Sequence, residues 1–335
     1  MLALRSSRAR VLLLLVVTAA CGSRTALFGD EPPEGEVAVA DASRRDTSSD
    51  GPVPEEAGMD ARRSFDALPL IDATPRLDVN RADCPDAEAT LVYLVTSQHE
   101  LYAFYPPALS FRLVGNLECP IGPGGATPFS MAVDRRGSAY VLYTDGRLFR
   151  VSTLDASCTA TSYRPNQNGF STFGMGFAAD DVPGNERLFV AESGGFQTPG
   201  EERDSTGLAS IDTTSLVLSF VGVFNPPIPR AEFTGNADGR LFAYWPVGTS
   251  QPQGYIAEID KRSGEVQARS EVPVGSRSDA FAFAFWGGDF WMFNSDGMGP
   301  TALSRFRPLN GSTITAATFP SSIVGAGVST CAPAF

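Results

Sequence analysis

The chain has 335 residues, a net charge of −12, 43% hydrophobic residues, five cysteines and one histidine. The excess of acidic residues excludes a generic binder of nucleic-acid backbones, because such binding requires clustered Lys and Arg. The single histidine, His99, excludes a multi-histidine metal site and leaves one residue for the base of a hydrolytic triad. We therefore expect no nucleic-acid partner, and we assign no metal site on these grounds.

The N-terminus has the pattern of an export signal. Arg5, Arg8 and Arg10 precede an apolar run over residues 11–17. A basic segment followed by a short apolar run is typical of secretory signals, and this run is too short to cross a bilayer. The pattern predicts an exported protein.

Small residues follow the apolar run and lead into Cys21. The segment resembles a bacterial lipoprotein signal, with Thr18 where that family usually has an aliphatic residue. The resemblance implies a signal peptide over residues 1–20 and a lipid on Cys21. Because Gly22 rather than Asp follows the cysteine, it also implies the outer membrane as the address. Cleavage after Ala20 without lipid attachment is the alternative.

Residues 21–85 have the composition of a spacer. From residue 22 onward the segment carries 14 Asp and Glu against 7 Arg, and it is rich in proline. It has no periodic apolar face, so it buries too little surface to offset the entropy of ordering. We predict a disordered acidic tether that leads to a folded domain over residues 86–335.

The folded region contains an internal repeat. A strand followed by a turn recurs with first positions 47, 60, 48 and 47 residues apart, at Phe104, Val151, Ile211, Ile259 and Phe306. A second apolar segment precedes it in each unit, as at 139–143 and 241–245. Each unit therefore indicates four short antiparallel strands, with almost no helical periodicity. Units of about 45 residues with four strands are typical of β-propeller blades.

The repeats share short motifs, such as Val-Asp-x-x-Gly over 133–137 and Leu-Phe at 188–189 and 241–242. On these motifs the region resembles bacterial propellers of the NHL, YVTN and virginiamycin-lyase-like kind. The resemblance concerns architecture and implies an all-β fold without fixing a function.

The two ends of the domain predict ring closure. The first unit lacks an innermost strand, and an unassigned strand, 323–330, remains at the C-terminus. We predict that this strand completes the first blade, so that five four-stranded blades form one closed propeller.

The cysteines fit a closed ring. In an exported chain, the four cysteines other than Cys21 favour disulfides, and four cysteines allow three pairings. Cys84 precedes the first blade and Cys331 follows the closing strand, so the ring brings these two together. Cys119 and Cys158 then form the second pair. We expect the folded protein to be a monomer.

Long loops are predicted on one rim of the ring, which we call the long-loop rim and which includes 164–169, 194–206, 225–229, 245–254 and 294–300. The opposite rim carries mostly tight turns, such as 134–137 and 235–239, and is called the tight-turn rim. Function usually resides in loops on a rigid scaffold, so we place a binding site on the long-loop rim. The alternative is that these loops are tolerated insertions. The candidate ligand-binding residues are Trp245, Asn166, Asn168, Glu201 and Asp204.

Three carboxylates, Asp134, Asp180 and Asp238, follow predicted inner strands. Carboxylates that converge on a central channel could bind Ca²⁺ or act as acid and base in glycoside hydrolysis. The alternative is that each one caps its own turn. His99 offers a general base on the long-loop rim or, alternatively, lies in an ordinary hairpin turn. Apart from Ca²⁺, no cofactor is expected.

The favoured function is non-enzymatic: a binding module at the cell envelope for a glycan, a peptide or an envelope protein. The first alternative is a lyase or hydrolase that acts on a carbohydrate or lactone through the channel carboxylates. The second is a purely structural envelope protein.

Overall fold

The repeat forms five four-stranded antiparallel sheets. The computed structural model describes residues 68–72, 91–182, 184–193, 204–236, 238–248, 253–275 and 278–334. All of these residues belong to one unit, residues 58–335. Within them, no helix has the length and apolar character needed to cross a membrane. The signal peptide, Cys21 and most of the tether lie outside the described residues, so these assignments stay predictions.

The strands of each blade run in order from the centre of the ring outward. Blade 1 contains β20 (Ile323–Val328), β1 (Val92–Thr96), β2 (Glu100–Tyr105) and β3 (Ser110–Asn116). Blade 2 contains β4 (Pro128–Val133), β5 (Ser138–Tyr143), β6 (Leu148–Ser152) and β7 (Cys158–Ala160). Blade 3 contains β8 (Phe173–Ala179), β9 (Glu186–Glu192), β10 (Leu208–Ile211) and β11 (Leu218–Gly222).

Blade 4 contains β12 (Glu232–Gly235), β13 (Leu241–Val247), β14 (Gln253–Ile259) and β15 (Val266–Pro273). Blade 5 contains β16 (Ala280–Trp286), β17 (Asp289–Ser295), β18 (Thr301–Arg307) and β19 (Ser312–Phe319). This arrangement confirms the predicted all-β propeller with five blades.

The ring closes through its two chain ends. Strand β20 pairs antiparallel with β1, with Val92 opposite Val328 and Leu94 opposite Ala326. The closing strand therefore supplies the innermost strand that the first repeat lacks, as predicted. Closure covers an edge of β1 that would otherwise expose unpaired backbone groups.

The centre of the ring is packed through glycines on the inner strands. A Cβ placed on Gly174 would overlap the carbonyl oxygen of Ala231, and one on Gly235 would overlap that of Phe177. Inner strands of neighbouring blades thus approach each other more closely than side chains would permit. Between the blades, large rings fill the space: Phe104 of blade 1 contacts Trp291 and Phe293 of blade 5 edge to face.

Two disulfides involve described cysteines. Cys119, which follows blade 1, bonds to Cys158 on β7 with a Cα–Cα distance of 5.0 Å, which confirms this predicted pair. Cys331 is also disulfide-bonded. Its predicted partner, Cys84, lies outside the described residues, so that pairing stays a prediction.

Five residues of the predicted tether are described, and they lie against blade 4. Within 68–72, the side chain of Ile71 is only 4% exposed. The Arg269 amide of β15 donates to the Pro69 carbonyl at 2.8 Å. Residues 68–71, Leu-Pro-Leu-Ile, form an aliphatic run in a segment that otherwise consists mostly of acidic and small residues. This run therefore has more apolar surface to bury than the rest of the tether.

Candidate functional site

A groove of about 890 Å³ opens between blades 2 and 3 on the tight-turn rim. Residues 134–136 of the turn after β4 form part of its walls, as do Asp180, Gly184 and Asn185 of the turn after β8 and the turn after β10. The aromatic rings of Tyr140 and Phe177 lie beneath it, 5.6 Å apart. Because each wall is held at both ends by a strand, the groove is set by rigid elements.

The groove is lined by four arginines and four acidic residues: Arg135, Arg136, Arg150, Arg187, Asp134, Asp180, Glu186 and Asp212. The groove therefore offers both hydrogen-bond donors and hydrogen-bond acceptors to a ligand. A neutral ligand with many hydroxyl groups can both donate to and accept from such a lining.

The arginines differ in how firmly they are held. Arg150 and Tyr140 are cross-strand partners on β6 and β5, and the guanidinium donates to the Tyr140 hydroxyl at 2.8 Å. Arg187 donates to Asp180 Oδ2 at 3.0 Å. Arg136 is exposed at the tip of its turn, and its guanidinium has no hydrogen bond or ion pair within the described ranges. Arg136 is thus the side chain best placed to reach a ligand.

Two of the predicted catalytic carboxylates act as turn caps in this groove. Asp134 Oδ1 accepts the amides of Arg136 at 2.9 Å and Ser138 at 2.8 Å. Burial nevertheless raises the pKa of Asp134. Asp180 Oδ1 accepts the Asp181 amide at 2.9 Å, and this bond, followed by Arg187, lowers the pKa of Asp180. Both carboxylates thus support their own turns, which is the alternative to a catalytic role.

Glu186 is a groove residue that no sequence motif indicates. Its carboxylate accepts the Arg135 amide at 2.6 Å and the Thr330 hydroxyl at 2.8 Å. Burial raises the pKa of Glu186 to about 7. Thr330 lies 144 residues away in sequence, so no local pattern could have revealed this contact.

Asp238, the third predicted carboxylate, lies in the turn between β12 and β13. The lining of the groove between blades 2 and 3 includes Asp134 and Asp180 but not Asp238. In the part of the chain that the structure describes, no group of three or more His, Cys, Asp or Glu side chains could hold a metal ion. The hypothesis of Ca²⁺ bound at converging carboxylates gains no support from this geometry.

The predicted position of Trp245 is wrong. The sequence places it at the start of an exposed loop, but β13 continues through it to Val247, and the side chain is 3% exposed. Its ring packs against Tyr255 at 5.7 Å. Pro246 does not end the strand, because its partner in β14 is Gly254, and pairing continues beyond both residues. A buried Trp245 is a core residue of blades 3 and 4.

The other candidates on the long-loop rim lie apart from the groove. Asn166 and Asn168 are both exposed, and both have positive φ, 64° and 52°. Asn168 Nδ2 donates to the Leu218 carbonyl at 3.3 Å, which holds its loop against blade 3. Asp204 forms a bridge to Pro229. Glu201 lies outside the described residues.

His99 occupies the turn between β1 and β2 with φ 64°. Its Nδ1 lies 3.2 Å from the Tyr143 hydroxyl, and burial lowers the pKa of the imidazole. The turn lies on the long-loop rim, as predicted, because it joins the second and third strands of blade 1. The lining of the groove between blades 2 and 3 does not include His99.

No protein-family model and no curated protein matches the sequence. Solved structures match parts of the chain at low sequence identity. A protein of unknown function from Bacteroides caccae is 10% identical, with a TM-score of 0.37, over 72% of this chain and 99% of that one. The Dos1 propeller is 10% identical, with a TM-score of 0.35, over 68% of this chain and 56% of that one.

The extracellular domain of the hybrid two-component system BT4673 from B. thetaiotaomicron is 12% identical, with a TM-score of 0.33, over 70% of this chain. The chain spans only 29% of the length of that protein. The propeller assignment rests on the strand pairing of this chain, and the fold fits a general interaction module.

Proposed function

We propose that this protein is a binding module of the cell envelope that holds a glycan in the groove between blades 2 and 3. The observation that carries the proposal is the lining of that groove, where arginine donors and carboxylate acceptors surround a volume of about 890 Å³. Vicinal hydroxyl groups both donate and accept, so they fit a lining of this kind.

The exposed guanidinium of Arg136 provides the test. Calorimetric titration of the full chain with a panel of envelope oligosaccharides should identify a ligand, and Arg136→Ala should weaken its binding about tenfold or more. Arg112→Ala is the matched control, because Arg112 is also exposed but lies on β3 of blade 1. Equal affinities of the two variants would place the ligand elsewhere, and no binding by the wild type would favour a structural role.

We further propose that the chain is exported and anchored to the outer membrane through a lipid on Cys21. The basic and apolar segments before this cysteine support the proposal. Cys21→Ser should release the protein from the membrane fraction. Gly22→Asp should keep it in that fraction but move it to the inner membrane. If Cys21→Ser remained with the membrane, lipid anchoring would be wrong.

A hydrolase that acts on the same ligand is the second candidate. One observation favours it: two carboxyl groups whose pKa values are raised by burial, Asp134 and Glu186, line the same groove. This hypothesis predicts slow cleavage of a bound oligosaccharide by the wild type and none by Glu186→Gln. Binding without turnover by both proteins would leave the binding module as the function.

A further inference from the structure

The outer edge of blade 4 already holds a short peptide, and that peptide belongs to the chain itself. Residues 68–72 lie along β15, the outermost strand of the blade. The Arg269 amide donates to the Pro69 carbonyl at 2.8 Å, and the Ile71 amide donates to Ser270 Oγ at 3.1 Å. An outer strand has one edge without a partner strand, and extended peptides bind such edges through backbone hydrogen bonds.

Side chains of the segment divide between buried and exposed positions. Ile71 is 4% exposed and inserts among buried rings of blades 4 and 5 that include Phe242 and Phe290. Leu68 packs against a separate apolar cluster that includes Trp245. Leu70, by contrast, is 77% exposed. The edge of blade 4 therefore contacts aliphatic side chains at the first and fourth positions of the segment and leaves the third in solvent.

A buried arginine fixes the end of the segment. Arg240 is ion-paired with Glu258 at 2.6 Å, and the two side chains are 5% and 7% exposed. The same guanidinium donates to the backbone carbonyl of Asp72. Because this contact is to the backbone, it recognises the direction and position of an extended chain without selecting a side chain.

We propose that this edge of blade 4 is a peptide-binding groove, that Leu68–Asp72 is its internal occupant, and that a partner protein binds there through an extended segment with aliphatic residues at its first and fourth positions. The contacts are few: backbone bonds to Pro69, Ile71 and Asp72, and one fully buried side chain. The covalent link gives the internal segment a high effective concentration, so the partner competes with it.

This groove is independent of the groove between blades 2 and 3, since the two share no residue. Failure to bind a glycan would therefore not contradict peptide binding at blade 4, and failure to bind the peptide would not contradict glycan binding.

The experiment uses a fluorescein-labelled peptide with the sequence of residues 66–75, titrated into the full chain and followed by fluorescence polarisation. Ile71→Asp should displace the internal segment and open the groove, because a charge is costly at this buried position. Leu70→Asp is the matched control, since it places the same charge one residue away at an exposed position. We expect the peptide to bind Ile71→Asp at least tenfold more tightly than it binds wild type or Leu70→Asp.

Two further measurements identify the groove as the place of binding. A peptide that itself carries Ile71→Asp should not bind, and adding Ser270→Ala to the Ile71→Asp chain should weaken binding about fivefold through loss of one hydrogen bond. A cooperative thermal transition in each variant shows that it is folded, and Ile71→Ala replaces Ile71→Asp if the latter is not. Two results would show that residues 68–72 only stabilise the fold. One is equal affinity of the peptide for the wild type, Ile71→Asp and Leu70→Asp chains. The other is no peptide binding to a folded variant in which the internal segment is displaced.

Discussion

The hydroxyl of Ser130 donates a hydrogen bond to the carboxyl group of Glu232 at 2.7 Å, and the two residues lie on inner strands of blades 2 and 4. These blades are not neighbours in the ring, since blade 3 lies between them. The bond therefore crosses the centre of the propeller. Glu232 is 5% exposed, and burial raises its pKa to about 8.

The stability of the fold should depend on pH through Glu232. Its folded pKa of about 8 lies above the ordinary value of 4.5, so the folded state keeps a proton that the unfolded state releases. The stabilisation is fully present below pH 4.5 and is lost as the pH rises through 8. Glu232→Gln should reduce this fall in the free energy of unfolding by on the order of 5 kcal/mol, measured by urea unfolding across that pH range.

Glu186 contributes to the same pH dependence in the same direction, because burial also raises its pKa, to about 7. Glu186→Gln is thus the comparison variant, and the double variant should show the flattest profile. A profile of Glu232→Gln that matches the wild type would mean that Glu232 is ionised in the folded protein.

Because the inner strands approach each other closely, adding one methyl group to an inner-strand glycine should strongly destabilise the fold. In Gly174→Ala the new Cβ overlaps the Ala231 carbonyl oxygen and lies 2.9 Å from Glu232 Cα, so backbone must move. We expect a loss of about 2–3 kcal/mol or more in the free energy of unfolding. The control is Gly124→Ala, where the Cβ meets nothing within 4 Å. Equal midpoints in thermal unfolding would contradict the observed packing of the centre.

Two ion pairs, one buried and one exposed, test how burial changes the contribution of an ion pair to the free energy of unfolding. Arg240→Ala removes the guanidinium that pairs with the buried carboxylate of Glu258 and should cost about 3–5 kcal/mol. Arg262→Ala breaks the contact with Asp181, where the side chains are 74% and 59% exposed, and should leave the free energy of unfolding close to that of the wild type. Chemical denaturation of both variants measures the two losses. Similar losses would mean that solvent reaches the Arg240 pair.

The Cys119–Cys158 disulfide joins residues 39 positions apart, between blades 1 and 2. By the chain-entropy argument, replacing both cysteines by serine should lower the free energy of unfolding by about 3–4 kcal/mol. Thermal unfolding of the oxidised double variant and wild type measures this. Because Cys331 is also disulfide-bonded, reductant should still lower the midpoint of the double variant, but less than that of the wild type. If reductant lowered the midpoints of both proteins equally, the stabilisation would come from the disulfide of Cys331.

The architecture could be predicted because each blade repeats a local pattern. Alternating apolar positions define the strands, and the period of the repeat counts the blades. Ring closure follows because the first repeat lacks an innermost strand and one strand remains unassigned after the fifth repeat. The pairing of Val92 with Val328 confirms it. The pairing of Cys119 with Cys158 follows from the same topology.

The groove could not be predicted, because its walls come from turns of different blades. Arg136 and Asp212 are 76 residues apart in the sequence, and only the packing of blade 2 beside blade 3 places both in the lining of one groove. Long loops favour the other rim, whereas the groove between blades 2 and 3 lies among the tight turns. The proline beside Trp245 suggests a loop, but the pairing of Pro246 with Gly254 shows that the strand continues.

The pairing of β20 with β1 has a consequence for the order in which this protein is made. Residues 92–96 are synthesised well before their inner neighbours at 323–328. Until residue 328 has been made, blade 1 is a three-stranded sheet with an unpaired inner edge, and such long-range pairing is slow to form. A chain cut short before residue 323 would keep that edge exposed and should aggregate, so correct folding of the first blade requires synthesis through the fifth.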